Sequence, residues 1–264
     1  MTVVLLYLAT GLGAGFLAGL LGVGGGLVIV PVLSFLFAAQ GFAAGQIMHL
    51  ALGTSLASIV FTSIASLRAH HRHGAVDWRA WRGLAPGIVV GTLLGTVLAA
   101  GLPTRPLVLI FVVFEFYVAT QMLLGFRSRP ERRLPGRAGL TAAGGVIGGV
   151  SSLVGIGGGT LSVPFLSWCN VPLHRAIGTS AALGLPIAVA GALGYGLNGM
   201  AAERLPAYSL GFVYLPALAG LVLGSVLTAP LGARLAHRLP VSALKKGFAV
   251  LLYTLAVRMA FSLL

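Results

Sequence analysis

Apolar positions dominate long stretches of this chain. Runs at about 2–22, 47–67, 83–102, 106–125, 138–155, 177–198, 208–229 and 242–262 recur along its whole length. Each approaches the roughly 20 helical residues needed to cross ~30 Å of hydrocarbon. Two shorter apolar pieces, about 27–40 and 160–170, each follow a glycine cluster and are too short to span comfortably as helices. The pattern predicts an all-α, polytopic transmembrane helical bundle with broken or short helices at two Gly-rich hairpins. Polar stretches are confined to Arg68 to Arg82, Arg127 to Arg137, and weaker ones near Glu203 and from Arg234 to Lys246, none long enough for a soluble domain. The first run lacks a basic leader and has a counterpart later in the chain, so it belongs to the fold rather than to a signal peptide.

Composition agrees. Charged residues make up 8% of the chain, against about a quarter in soluble domains, too few to clothe a water-exposed surface. The 58% apolar content excludes disorder. A single cysteine, Cys169, excludes a disulfide scaffold and any Cys-based metal site. The net charge of +13 sits in short basic clusters between apolar runs, which argues against a nucleic-acid partner and for the lipid bilayer.

The chain also resembles itself. GLLGVGGGLVIVPVLSF (Gly19 to Phe35) aligns with SLVGIGGGTLSVPFLSW (Ser152 to Trp168), placing Gly22, Gly24, Gly25, Gly26 and Pro31 on Gly155, Gly157, Gly158, Gly159 and Pro164. Downstream, HLALGTSLA (His49 to Ala57) meets HRAIGTSAA (His174 to Ala182), and Gly91 and Gly95 pair with Gly220 and Gly224. Two ordered blocks in register indicate a duplication. The domains expected are an N-terminal transmembrane repeat over 1–125, a basic cytoplasmic linker over 126–137 and a C-terminal transmembrane repeat over 138–264. With five crossings per repeat the halves are inverted. All basic residues but Arg105, Arg204 and Arg258 then fall on the inside, as the positive-inside rule prefers. A re-entrant hairpin gives the same parity as two short spans, so the charges leave that choice open.

Four glycines in five residues make GVGGG a poor helix former, at roughly 1 kcal/mol per Gly relative to Ala. A break at membrane depth is tolerated only where protein or water covers it. Amides freed there, with the start of the next short helix, suit an oxyanion. Inverted repeats that each carry an interrupted segment point to a transport site at the bilayer midplane. The candidate substrate-binding residues are therefore Gly24, Gly25, Gly26 and Pro31 in the first cluster, and Gly157, Gly158, Gly159, Thr160, Ser162 and Pro164 in the second. The paired Gly-Thr-Ser elements add Thr54, Ser55, Thr179 and Ser180, whose hydroxyls either contact ligand or bond back to their own helices. Gly11, Gly15 and Gly19, with Gly91, Gly95, Gly220 and Gly224, fit close helix packing instead.

Glu115 is the only acidic residue inside a predicted span, so it is either a coupling group or structurally bonded to a polar neighbour. His49 and His174 recur near predicted membrane surfaces, which favours capping over proton transfer. His70, His71 and His73 lie in an Arg-rich loop that faces lipid headgroups rather than forming a metal cluster. Nucleotide-binding motifs, paired catalytic carboxylates and Ser-His-Asp sets are absent, so no enzyme and no cofactor or metal is expected.

The paired GxGGG-x4-P elements, the paired GTS elements and the basic central linker together resemble the TauE/SafE family of sulfite and organosulfonate exporters, over about residues 3–262. The resemblance implies a duplicated permease of the bacterial inner membrane that exports sulfite or a related sulfur anion, with the hairpins and GTS elements lining its path. Leu27 opposite Thr160, and Ile29 opposite Ser162, make the second half the more polar one. The expected partners are a small anionic substrate and the bilayer, and a homo-oligomer is compatible with the sequence. Two rivals remain at this stage: a transporter of a cation or neutral metabolite using Glu115, and a membrane assembly protein that transports nothing.

Overall fold

The structure, a computed structural model, describes residues 2–21, 25–124, 133–236 and 241–262. Among them are ten helices: α1 (Thr2–Leu21), α2 (Gly26–Ala39), α3 (Ile47–Arg72), α4 (Trp78–Gly101), α5 (Thr104–Leu124), α6 (Arg137–Val154), α7 (Gly159–Trp168), α8 (Leu173–Gly199), α9 (Leu215–Ala236) and α10 (Val241–Phe261). Six of them (α1, α3, α4, α5, α8 and α9) are long and apolar enough to cross a bilayer. The chain is an integral, multi-pass membrane protein. Leu94, Val97 and Leu98 on α4, Val113 on α5 and Leu223 and Leu227 on α9 point outwards, a dense apolar surface suited to lipid.

The helices pair across the midpoint of the chain. α1 packs along α9, α4 along α6, α3 against α8 and α5 against α10, so each pair joins a helix before residue 125 with one after 132. Exchanging α1 with α6 and α4 with α9 turns the first two pairings into each other. Small residues make the close seams. A methyl on Gly11, Gly15 or Gly19 of α1 would strike the α9 backbone at Leu221, Ser225 or Ala229. Gly91 and Gly95 of α4 lie in the same way on Gly145, Gly149 and Ser152 of α6, and Gly220 and Gly224 lie on α1. These glycines serve packing, as their spacing predicted.

Three boundaries depart from the hydropathy reading. α3 runs on to Arg72, through residues expected to be loop. α4 starts at Trp78 rather than 83 because the Asp77 carboxylate accepts from the amides of Arg79 and Ala80, both at 3.0 Å, and so caps the helix within the polar stretch. α9 starts at Leu215 rather than 208. Before it, β1 (Ser209–Leu210) and β2 (Val213–Tyr214) form a two-stranded antiparallel ribbon, a small exception to an all-α fold. Gly211, at φ +54°, turns that ribbon against the backbone of Gly196. The long span expected over 242–262 is helical as α10, but it carries Lys245, Lys246 and Arg258 and stands outside the six, as does α6. The linker expected over 126–137 falls, up to residue 132, outside the described residues; α6 begins at Arg137.

Candidate functional site

The second glycine cluster breaks the helix, and the first lies between the described ends of α1 and α2. α6 ends on Gly155, left-handed at φ +68°, and the Ile156 amide donates back to the Ser151 carbonyl at 3.1 Å. Residues 156–158 are not helical, and α7 starts from Gly158 with no side chain capping it. The first amides of such a helix have no intrahelical acceptor, and they carry the positive end of its dipole. In the first cluster, Gly24 lies outside the described residues. Gly25 begins α2 similarly, its carbonyl accepting from Val28 at 3.0 Å and Ile29 at 2.9 Å. Pro31 and Pro164 sit inside α2 and α7 rather than ending them. Each leaves the carbonyl four residues earlier, at Leu27 and Thr160, without its helical donor.

The two breaks touch. A methyl on Gly26 would strike the Gly155 carbonyl and meet the Ile156 Cα at 3.0 Å, so the start of α2 lies directly on the end of α6. Ser55 of α3 reinforces this junction, its hydroxyl donating to the Gly155 carbonyl at 2.9 Å.

The Gly-Thr part of each GTS element has a different partner. Gly53 lies against the Phe212 carbonyl, and the Thr54 hydroxyl oxygen accepts from the Tyr214 amide at 3.0 Å. Gly178 lies against the Ala75 carbonyl, and the Thr179 oxygen accepts from the Asp77 amide at 2.8 Å. In both cases the glycine admits the strand of chain leading into α4 or α9, and the threonine holds an amide two residues further on. Neither threonine bonds back to its own helix through this contact.

Around the second break the polar groups are differently disposed. Ser162 and Ser180 are fully buried or nearly so, Thr160 is 8% exposed, and none of the three hydroxyls has a hydrogen-bond partner among the described residues. The Ser162 oxygen lies 3.2 Å, and the Ser180 carbonyl 3.4 Å, from where a Cβ on Gly158 would stand. Gly184, one turn along α8, leaves room beside the Gly158 amide and the Ser63 hydroxyl. Gly157, by contrast, has only the Ile59 side chain near its Cβ position, at 3.6 Å. The structure thus gathers Gly157, Gly158, Ser162 and Ser180 around the start of α7, with Gly159 and Thr160 in its first turn. Gly25, Gly26 and Ser55 lie against the neighbouring junction.

Glu115 occupies the buried stripe of α5 with Leu107, Phe111 and Val118, and both carboxylate oxygens lack a hydrogen-bond partner among the described residues. The structural bond considered for it from sequence is not present there. His49 is buried and its Nε2 lies 2.9 Å from the Ala99 carbonyl near the end of α4, a capping contact; His174 is exposed.

A small cavity of about 10 Å³ beside Gly25 escaped the sequence reading. Ser58 and Thr62 of α3, Ser225 of α9, Ile29 and Ile59 line it. The signal was there: Ser55, Ser58 and Thr62 recur at helical spacing on one face of α3.

Helices paired across the chain midpoint, two helix starts in contact with one another and unpartnered hydroxyls beside one of them are the arrangement expected of a membrane transporter. The family described as sulfite exporter TauE/SafE matches residues 7–259, and the chain belongs to that family. A probable membrane transporter protein of Haemophilus influenzae is 40% identical over 98% of both chains. Probable membrane transporter proteins of Methanocaldococcus jannaschii and Bacillus subtilis are 25% and 26% identical, covering 89% and 88% of this chain and 86% and 89% of their own. No solved structure matches the chain.

Proposed function

We propose that this transporter carries a small oxyanion, sulfite or an organosulfonate, out across the bacterial inner membrane. It does so by alternating access between two inverted halves, 1–125 and 138–264. The observation that carries the reading is the trio Thr160, Ser162 and Ser180: buried hydroxyls without a hydrogen-bond partner among the described residues, two of them in the first turn of α7 and the third on the turn of α8 whose carbonyl approaches Gly158. Dipole and hydroxyls both favour negative charge, and a group of neutral donors with no lysine or arginine binds reversibly. The exchange symmetry of the helix pairings, and the contact between the two breaks, support inverted halves that rock about this point. Glu115 is the coupling carboxyl, since an unpartnered acid in a buried membrane stripe requires a proton or a counter-ion.

Purified protein in liposomes tests the reading. Saturable uptake of radiolabelled sulfite, competed by sulfoacetate but not by chloride, is expected. Ser162→Ala with Ser180→Ala should abolish it, and Glu115→Gln should flatten its dependence on pH. Cation uptake indifferent to sulfur anions, or sulfite flux unaltered in the double variant, refutes it.

A further inference from the structure

The cavity beside Gly25 differs from the second break in one chemical respect. A serine or threonine hydroxyl has one proton and two lone pairs. Here all three hydroxyls have committed the proton to a carbonyl of their own helix: Ser58 to Ser55 at 2.7 Å, Thr62 to Ile59 at 3.1 Å and Ser225 to Val222 at 3.3 Å. What they can offer the cavity is lone pairs alone. Ser58 and Ser225 are buried, and the Ala14 carbonyl adds a fourth oxygen close by, 3.4 Å from the Cβ position of Gly25. The space of about 10 Å³ accepts one particle the size of a water molecule.

We propose that this cavity is a binding site for a dehydrated monovalent cation of sodium size. Its hard, neutral oxygens suit an alkali cation. Divalent ions are disfavoured, because calcium and magnesium sites rely on carboxylates and none lines the cavity. A single side chain separates it from the second break. Ile59 lines the cavity, and its Cγ2 is the neighbour of Gly157. A cation held here lies close enough to offset the charge of an anion at α7, and each ligand then tightens the other by the same factor. That linkage rests on the anion-transport reading; the cation site itself does not.

Equilibrium binding of radioactive sodium to the purified, detergent-solubilised protein, with choline replacing other cations and no sulfur anion present, tests the site. One saturable class of sites is expected, displaced by unlabelled sodium and not by choline. Thr62→Val should weaken binding roughly tenfold, the order expected for losing one good ligand. Thr62→Ser, which keeps the oxygen, should retain it, and Gly25→Ala, which intrudes on the cavity, should weaken it. Thr10→Val, which removes an exposed hydroxyl bonded in the same way to its own helix at Leu6, should change nothing. Absence of saturable binding in the unaltered protein, or equal affinity in Thr62→Val, overturns the site. Adding sulfite should then raise the sodium affinity. Sodium binding with no sulfite binding leaves the cation site standing and removes the anion reading. Sulfite binding that leaves the sodium affinity unchanged removes the linkage alone.

Discussion

The two helix breaks share a backbone design and divide the chemistry between them. At the second, α7 brings hydroxyls, Thr160 and Ser162, while the facing turns of α8 are apolar at Leu183 and Ile187. At the first, the aligned positions are reversed: α2 brings Leu27 and Ile29, and α3 brings Ser58 and Thr62. The hydroxyls differ in state as well as place. Those at the first break have committed their protons, and those at the second have not. On the two proposals above, similar helix starts hold two ligands of opposite sign, because hydrogen-bond direction, and not the fold, sets which charge each break favours.

Overpacking gives the largest contrast. Gly26→Val places a branched side chain against the Gly155 carbonyl and the Ile156 backbone, where nothing flexible can give way. Overpacking of this kind costs about 1–3 kcal/mol or more. Gly26→Val should lower the thermal transition of the solubilised protein by many degrees or abolish the folded species. Gly157→Ala should leave it unchanged, since its methyl meets only Ile59 at ordinary contact distance. Equal tolerance of both substitutions would remove the junction between the breaks from the account.

Function should divide the breaks next. Ser162→Ala removes a donor aimed at the start of α7, and losing one hydrogen bond to a charged ligand weakens binding by roughly tenfold to a hundredfold. Sulfite affinity should fall by that order while thermal stability holds, because the lost hydroxyl had no protein partner. A variant that loses stability and keeps its affinity would show the hydroxyl to be structural.

Smaller effects should appear at the paired threonines, and these should be alike. Thr54→Val leaves the Tyr214 amide without its acceptor, and Thr179→Val does the same to Asp77. Each should cost about 1–3 kcal/mol, and together they should be near additive, being separate contacts. Denaturant midpoints in detergent read this out. A loss confined to one threonine would show that the segments leading into α4 and α9 are not held in the same way.

Much of this was open to a reader of the sequence because a bilayer restricts what a chain can do. Span lengths and backbone satisfaction made the helices legible, and the short pieces expected from about 27 and about 160 begin one residue earlier, as α2 at Gly26 and α7 at Gly159. Asp77 shortened a loop that hydropathy could not see, since a cap acts through one side chain and not through a run of apolar residues. The partners of Thr54 and Thr179 were beyond reach for another reason: their amides lie 160 and 102 residues away in the chain, and no local pattern encodes such a pairing. The asymmetry of the breaks was half visible, at Leu27 against Thr160 and Ile29 against Ser162. Its other half, Ser58 and Thr62 against Leu183 and Ile187, needed the cavity to draw attention to it.

Ser55 and Ser180 offer the finest test, being aligned residues of one type in opposite states. Ser55 donates to the Gly155 carbonyl at 2.9 Å inside the protein. Truncating it leaves that carbonyl without its side-chain donor, at about 1 kcal/mol for a typical buried hydrogen bond. Ser180 has no partner among the described residues, so its hydroxyl already bears the cost of burial, and Ser180→Ala should be neutral or stabilising by about a few tenths of a kcal/mol. Paired melts of the two alanine variants should therefore move in different directions without anion. Saturating sulfite should raise the transition of Ser55→Ala as it does that of the unaltered protein, and should do so less for Ser180→Ala, because ligand stabilisation follows affinity. If both variants lose the same stability and respond equally to sulfite, Ser180 has a structural partner after all, and the donor set at the second break shrinks to α7 alone.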